Sequence, residues 1–149
     1  MIALIQRVTT ARVTIDGRVC GAIGAGLLAL IGVQRGDGPP QVARLLERLL
    51  DYRVFADEAG RMNRSLRDTS GGLLLVPQFT LAADTSSGTR PGFSTAAEPA
   101  LARSLYEQLL EAARATYAEV ASGEFGANMA VSLTNDGPVT FWLETGPKA

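Results

Sequence analysis

The hexapeptide Asn135-Asp136-Gly137-Pro138-Val139-Thr140 lies between two apolar runs, residues 129–133 and 139–143, and it fixes how the chain closes its fold. Both runs have the length and β-branched or aromatic content of strands. Proline has a fixed φ and no N–H, while glycine tolerates unusual φ values, so Gly-Pro predicts a rigid corner with exposed backbone carbonyls. Taken alone, such a peptide favours a hairpin turn. We therefore expect a closing pair of strands around this corner.

A second peptide, residues 73–81, contains a strand that is interrupted by a proline. Leu73 to Val76 has the continuous apolar character of a buried strand, and Pro77 ends it. Because proline cannot donate to a sheet ladder, we expect free backbone N–H groups around Gln78, Phe79 and Thr80. Such donors can stabilise the oxyanion of an ester intermediate, a contribution of about 3 kcal/mol per donor in other hydrolases. These three residues are the predicted catalytic group.

Thr80 is the obvious candidate nucleophile in this peptide. A threonine hydroxyl is weak without a base beside it, and the chain contains no histidine. We therefore predict that Thr80 positions the substrate rather than attacks it. The alternative is an ordinary strand threonine, since β-branched residues suit strands.

The absence of histidine excludes several classes of chemistry. It removes Ser-His-Asp and Cys-His catalysis and histidine-based zinc sites. Cys20 is the single cysteine, and we expect it to be a small buried hydrophobe within a strand rather than a nucleophile. No metal and no cofactor is predicted.

Composition predicts one domain, residues 1–149, because the chain is 46% hydrophobic and too short for two domains of ordinary size. The formal net charge of −1 counts against a general nucleic-acid-binding protein. No apolar run approaches the ~20 residues of a membrane span, and a lone cysteine allows no internal disulfide. We expect a cytoplasmic protein that does not enter the membrane.

Two helices are predicted from apolar positions at helical spacing. The first starts at residues 37–40 and the second runs from about Pro99 to about Thr116. Their apolar faces are expected to comprise Val42, Leu45, Leu46, Leu49 and Leu50 in the first helix, and Leu101, Leu105, Leu109 and Ala112 in the second.

Strands are predicted at residues 2–10, 12–15, 18–23, 27–33 and 52–55, with the 27–33 run central in a sheet. The long segment 82–97 favours a functional loop. Because helices and strands do not alternate regularly, the fold class is α+β with two main helices.

The two peptides together resemble the signatures of the D-aminoacyl-tRNA deacylases, editing enzymes that hydrolyse D-amino acids from tRNA. That family carries SQFTL in the middle of the chain and NxGPVT near its end. Further matching stretches run almost end to end, at residues 5–8, 60–63 and 83–85, with Arg90-Pro91 and Phe93 beyond the last of these, and at residues 123–129. Pro77 stands where the family usually has Ser.

The resemblance implies a mostly antiparallel sheet curled towards a barrel, and a homodimer with active sites at the interface. It implies that Gly137 and Pro138, joined by a cis bond, enter the partner's active site and select chirality. Rejecting L-residues while accepting many D side chains requires a rigid element near Cα, and carbonyls at a Gly-Pro corner meet that need. Glycine has no side chain to clash, so glycyl-tRNA should also be accepted.

The resemblance also assigns supporting residues. Arg7 is expected to brace the Gly-Pro element through its carbonyls. Phe125 and Met129 are expected to hold the terminal adenine of the tRNA 3′ end, since bases stack on aromatic faces; the alternative is core packing. Asp84 and Arg90 are expected to order their loop.

Two alternative functions remain open. One is an editing enzyme of the same fold that clears a mischarged L-alanyl or glycyl tRNA, an alternative supported by Pro77 in place of the family's usual Ser. The other is a non-enzymatic nucleic-acid-binding protein, against which the lack of a basic stripe or interleaved aromatics counts.

Overall fold

The computed structural model describes residues 1–146. In this part of the chain the strands are β1 (Ile2–Ile15), β2 (Arg18–Ile23), β3 (Gly26–Gly32), β4 (Phe55–Ala56), β5 (Met62–Arg64), β6 (Gly72–Pro77), β7 (Val120–Ser122) and β8 (Ala130–Glu144). The helices are α1 (Pro39–Asp51), α2 (Leu66–Thr69) and α3 (Pro99–Thr116), and a 3-10 turn spans Phe79–Ala82.

The main sheet is organised around the long strand β1. Along one edge, the first half of β1 pairs with β3 and its second half pairs with β2, both antiparallel. Along the other edge β1 pairs antiparallel with β8 over almost its whole length. Strands β6 and β7 continue the sheet beyond β3 in parallel, so β3 is central, as predicted.

The sheet curls until its two ends approach each other, which confirms the predicted fold class. A Cβ added to Gly21 on β2 would lie 2.5 Å from the backbone oxygen of Ser122 on β7. Only glycine allows the two backbones to come so close. The sheet is therefore nearly a barrel.

The core has two parts, one on each face of this curled sheet. Helices α1 and α3 pack on the outer face through apolar side chains that include Leu45, Leu49 and Leu105. The inner face carries a smaller cluster comprising Val8, Ala11, Val13, Leu28, Leu74 and Val76. No helix within residues 1–146 is long and apolar enough to cross a membrane.

The predicted hairpin at the Gly-Pro corner is wrong. Residues 129–133 and 139–143 do not pair with each other, because both belong to β8 and both pair with β1. Val131 lies opposite Val13, and Phe141 lies opposite Ile5. Likewise the predicted strands 2–10 and 12–15 are one strand. The β1 partner satisfies the backbone on both sides of the corner, so the chain does not reverse.

Three smaller expectations also differ from the structure. Cys20 is exposed, because it lies on the outward side of β2 rather than against the core. Leu101 is 40% exposed, since the buried face of α3 is turned towards Ala102 and Tyr106. The predicted strand at 52–55 is reduced to β4, because Tyr52 caps the end of α1.

Candidate active site

The Gly-Pro corner is a bulge in β8 opposite a single residue of β1. Gln6 pairs with Thr140 and Val8 pairs with Asn135, so only Arg7 lies opposite the four residues 136–139. The extra residues leave the ladder and project from the sheet. The bond between Gly137 and Pro138 is cis. The corner is therefore an excursion within a strand, anchored at both ends by β1.

Arg7 contacts the corner through its guanidinium. Its Nε donates to the backbone oxygen of Asp136 at 3.0 Å and lies 3.4 Å from that residue's carboxylate. Its Nη1 donates to the backbone oxygen of Val54 at 2.8 Å. The guanidinium thus ties the corner to the segment that follows α1.

The asparagine of the motif bridges the corner from inside. The side-chain oxygen of Asn135 accepts from the N–H of Val139 at 3.0 Å, and its amide donates to the hydroxyl of Thr140 at 2.9 Å. Sequence reasoning missed this role, although an amide four residues before Val139 was a visible signal. Two sets of contacts, from Asn135 and Arg7, therefore fix the corner.

Gly137 is a position where only glycine fits. Its φ is +131°, and an added Cβ would lie 2.7 Å from Val139 Cγ2 and 3.0 Å from Arg7 Nη2. Any other residue would have to displace the corner or the arginine that braces it.

A pocket of about 420 Å³ opens at the end of β6, next to the start of α3. Its lining is mostly apolar and includes both residues that the resemblance assigned to adenine. The lining residues are Val76, Pro77, Gln78, Phe79, Ala97, Pro99, Ala102, Phe125, Gly126, Ala127, Asn128, Met129 and Val131. Neither Gly137 nor Pro138 is among the described residues that line this pocket in the same chain.

The peptide predicted to be catalytic leaves the sheet at Pro77 and forms the 3-10 turn. The expectation of free N–H groups is wrong for Gln78, whose N–H donates to the oxygen of Ile31 at 2.7 Å and extends the β3 pairing. Within residues 1–146, the N–H groups of Phe79 and Thr80 have no hydrogen-bond acceptor. The first N–H groups of a helical turn lack partners in the turn itself. One backbone donor, on Phe79, thus belongs to a residue that lines the pocket, and a second, on Thr80, belongs to the next residue in the chain.

Thr80 lies in the 3-10 turn rather than in a strand, so the strand-threonine alternative is wrong. Its hydroxyl accepts from the side-chain amide of Gln78 at 2.5 Å. The hydrogen bond from Gln78 orients the Thr80 hydroxyl oxygen and leaves the hydroxyl hydrogen free to donate. Among residues 1–146, no group that could serve as its base is bonded to it, which suits a positioning role better than nucleophilic attack.

Phe125 lines the pocket and packs on two neighbours outside it. The guanidinium of Arg103 lies over the ring at 4.8 Å, and the ring of Tyr106 is 6.4 Å away. Met129 is held nearby, with its sulfur accepting from the N–H of Glu124 at 3.4 Å. Phe125 therefore has one face covered by Arg103 and both residues belong to one wall of the pocket.

Tyr106 ties the floor of the pocket together beneath Phe125. Its hydroxyl donates to the oxygen of Leu75 at 2.9 Å and lies 2.7 Å from Ser122 Oγ. Burial raises the pKa of Tyr106 to about 12, partly opposed by the Ser122 hydrogen bond. The hydroxyl stays protonated and links β6 to β7 at the point where the pocket begins.

The predicted functional loop is ordered by Asp84. The backbones of Asp84 and Gly92 exchange two hydrogen bonds, at 2.7 and 2.9 Å, and Asp84 also accepts from the N–H of Ser86 at 2.9 Å. Hydrogen bonds from Ser86 hold the pKa of Asp84 below its usual value. No such ordering contact is formed by the Arg90 side chain within residues 1–146.

Comparison with known proteins identifies the family. Residues 4–144 match the family described as D-Tyr-tRNA(Tyr) deacylase. The chain belongs to this deacylase family. It is therefore an enzyme, a carboxylic ester hydrolase.

Curated relatives of the deacylase cover nearly its whole length. A D-aminoacyl-tRNA deacylase from Thioalkalivibrio sulfidiphilus is 66% identical over 147 residues, which are 99% of this chain and 99% of the relative. Another from Nitrosococcus oceani is 61% identical over 147 residues, 99% of this chain and 95% of the relative.

Solved structures show the same fold. A protein described as c-Myc DNA unwinding element binding protein superposes with a TM-score of 0.94 at 38% identity, covering 99% of this chain and 100% of the other. A probable eukaryotic D-amino acid tRNA deacylase superposes with a TM-score of 0.76, covering 95% and 97%. At 15% identity, the second likeness concerns the fold alone.

Proposed function

We propose that this deacylase hydrolyses the ester that joins a D-amino acid, and also glycine, to the 3′ end of tRNA. The observation that carries the proposal is the pair of unpartnered N–H groups of Phe79, which lines an apolar pocket, and of Thr80, which directly follows it. A carbonyl oxygen placed there would meet two donors as it gains negative charge. Donors that are fixed before the reaction need no reorganisation during it.

The reaction needs few protein groups. Water adds to the ester carbonyl, and the carbonyl oxygen becomes an oxyanion that the two N–H groups bind. The ribose hydroxyl next to the ester assists transfer of a proton from water to the departing ribose oxygen. The carbon–oxygen ester bond then breaks and releases the free amino acid and the intact tRNA. Thr80, oriented by Gln78, positions the substrate.

We assign the terminal adenine to the wall formed by Phe125 and Met129. A base stacks on an aromatic face with a favourable energy of about 1–3 kcal/mol. The face of Phe125 away from Arg103 is the one available for this contact. Pro77 lines the same pocket in place of the family's usual serine and presents only apolar surface.

Chirality is assigned to the Gly137–Pro138 corner, acting in a second copy of the chain. The corner is exposed and absent from the pocket lining of its own chain, so it reaches a substrate only in a partner's pocket. Phe141 and Trp142, which follow it on β8, are 38% and 51% exposed and supply apolar surface for a partner. We therefore propose a homodimer with two shared active sites, each chain being one domain over residues 1–149.

Hydrolysis of three charged tRNAs tests this function. We expect rapid release from D-Tyr-tRNA, measurable release from Gly-tRNA and little from L-Ala-tRNA. Faster hydrolysis of L-Ala-tRNA than of D-Tyr-tRNA would assign the chain to a different editing task. Binding of tRNA with no hydrolysis of any of the three would contradict an editing activity.

We propose further that the hydrolysis requires no metal ion. Within residues 1–146 no group of three or more His, Cys, Asp and Glu side chains is arranged to hold one. Activity should therefore persist in a chelator. Loss of activity in the chelator, restored by added zinc, would contradict this proposal.

A further inference from the structure

Two aromatic rings contact each other at a tilt on the surface beside the pocket. The ring centroids of Phe79 and Phe93 are 5.4 Å apart with their planes tilted by 38°. Both rings are in contact with water, Phe79 being 60% exposed and Phe93 42% exposed. Phe79 lines the pocket, whereas Phe93 lies outside its lining. The pair therefore extends the apolar wall of the pocket onto the outer surface.

Phe93 is held in place by its loop. The loop is closed by the Asp84–Gly92 hydrogen bonds immediately before it. Immediately after it, the hydroxyl of Thr95 donates to the oxygen of Ala82 at 2.6 Å, and the oxygen of Thr95 accepts from the N–H of Arg35 at 3.1 Å. A backbone held on both sides of Phe93 limits where the ring can lie before any ligand arrives, which lowers the entropic cost of binding.

The loop that carries Phe93 also carries a positive charge, on Arg90. Arg90 lies three residues before Phe93, in a surface hollow lined by Thr85, Gly88, Thr89, Arg90 and Pro91. Among residues 1–146, no carboxylate lies within salt-bridge distance of Arg90. A guanidinium without a carboxylate partner is suited to a phosphate.

The size of the pocket indicates how much of the RNA it can hold and how much must lie on the surface around it. Small-molecule pockets have volumes of about 300–1,000 Å³. At about 420 Å³ the pocket is of a size for one aminoacyl nucleoside, not for several nucleotides. The rest of the RNA strand has to leave over the rim of the pocket. Phe79 and Phe93 form an apolar part of that rim.

We propose that Phe79 and Phe93 form a platform for the base of the nucleotide preceding the terminal adenosine, and that Arg90 binds the RNA backbone beside it. The proposal rests on the deacylase function proposed above and extends its substrate site by one nucleotide. An aromatic platform with a neighbouring cation is the usual arrangement for single-stranded nucleic acid. It favours a stacked base without reading its sequence.

A truncated substrate pair isolates this contact. D-Tyrosyl-adenosine carries only the terminal nucleoside, whereas the D-tyrosyl ester of cytidylyl-adenosine adds the preceding nucleotide. We expect the wild-type kcat/KM to be higher for the dinucleotide ester. Phe93→Ala should lower the ratio of the two kcat/KM values roughly 5- to 150-fold, the equivalent of one lost stacking contact. A ratio unchanged by Phe93→Ala would overturn the proposal.

Conservative variants distinguish stacking from apolar bulk. Phe93→Tyr keeps an aromatic face and should retain the wild-type ratio, whereas Phe93→Leu should lose it. If Phe93→Leu kept the ratio, the platform would not act through stacking and the proposal would fail. For the charge, Arg90→Gln should make kcat/KM for the dinucleotide ester less sensitive to salt, since one attraction between opposite charges is lost. Arg90→Lys should keep the salt sensitivity, and an unchanged sensitivity in Arg90→Gln would remove Arg90 from the site.

Binding measurements separate this proposal from the deacylase function. Affinity for uncharged cytidylyl-adenosine relative to adenosine, measured by calorimetry, needs no turnover. If the wild type hydrolysed neither ester but Phe93→Ala still lowered that relative affinity, only the proposed function would fail. A second occupant, another copy of this chain, is tested by sedimentation. If Phe93→Ala dissociated the assembly, the aromatic pair would be a subunit contact and not an RNA platform.

Discussion

Arg7 and Asp136 are 129 positions apart in the chain, yet the Arg7 guanidinium donates to the backbone oxygen of Asp136 at 3.0 Å. The same guanidinium donates to the oxygen of Val54. The corner at Gly137 and Pro138 is therefore braced by contacts from distant parts of the chain. It is held by the charged side chain of Arg7 on the long strand β1, and that side chain also bonds the segment after α1.

Replacing Arg7 by lysine should loosen the corner. Lysine keeps the charge but lacks the planar fork that reaches both carbonyls. Losing one charge-assisted hydrogen bond costs about 1.5–3 kcal/mol, so kcat/KM for D-Tyr-tRNA should fall roughly 10- to 100-fold. Arg12→Lys, an exposed arginine on the same strand, is the matched control. Equal activity of the Arg7→Lys and Arg12→Lys proteins would contradict a bracing role.

Thr80→Ala should weaken turnover without abolishing it. The backbone donors of Phe79 and Thr80 remain in the variant, and only the oriented hydroxyl is lost. We expect kcat to fall while single-turnover hydrolysis remains measurable. Complete loss of activity in a folded protein, or trapping of an acyl adduct on wild-type Thr80, would make Thr80 the nucleophile instead.

The role of the ribose hydroxyl is tested by changing the substrate instead of the protein. With tRNA ending in 2′-deoxyadenosine and the amino acid on the 3′ oxygen, the neighbouring hydroxyl is absent. Hydrolysis should then slow markedly. An undiminished rate would contradict the substrate-assisted step while leaving the role of the backbone donors standing.

Phe125→Leu should raise KM with little change in kcat. Leucine keeps apolar bulk but provides no ring, so about 1–3 kcal/mol of stacking with the adenine is lost. The ring also contacts Arg103 and Tyr106, so thermal unfolding must be measured beside the kinetics. An unchanged KM together with a lower Tm would show that Phe125 serves core packing alone.

Tyr106→Phe should destabilise the fold by about 1 kcal/mol at neutral pH, since the hydrogen bond to Leu75 is lost. The pKa of Tyr106 is raised to about 12 in the fold, above its ordinary value of 10.0. Its contribution is thus complete below pH 10 and declines as the pH rises towards 12, by about 1.4 kcal/mol per pH unit. Denaturant titrations should show the gap between wild type and Tyr106→Phe closing above pH 10 and reversing in sign before pH 12. A constant gap would contradict the burial of this hydroxyl.

Much of the fold follows from local sequence. Helix α1 begins at Pro39, within the predicted start, because proline suits the first helical position, and its buried side chains are the five predicted. Strand β3 is central because its apolar run allows burial on both faces. In α3 the buried face includes Tyr106, which was not predicted. Its large ring is buried and its hydroxyl donates to the oxygen of Leu75 in the core.

The path of the chain at the corner could not be predicted locally. Asn, Asp, Gly and Pro indicate a departure from regular strand, but they do not say whether the chain then reverses. That depends on β1, whose Gln6 and Val8 pair with residues on either side of the bulge. The hydrogen bond of the Gln78 N–H also could not be predicted from local sequence, because its acceptor is Ile31 on the neighbouring strand.

Selection of chirality by the Gly137–Pro138 corner is tested by the ratio of initial hydrolysis rates for D-Tyr-tRNA and L-Tyr-tRNA, measured in wild type and in Gly137→Ala. The added methyl would meet Val139 and Arg7 and displace the corner. Gly24→Ala, where an added Cβ meets nothing within 4 Å, is the matched control. We predict a strong preference for the D-ester in wild type and Gly24→Ala, and loss of both D-activity and discrimination in Gly137→Ala. Equal rates for the two esters in the wild type, or undiminished discrimination in Gly137→Ala, would contradict selection of chirality by the Gly137–Pro138 corner.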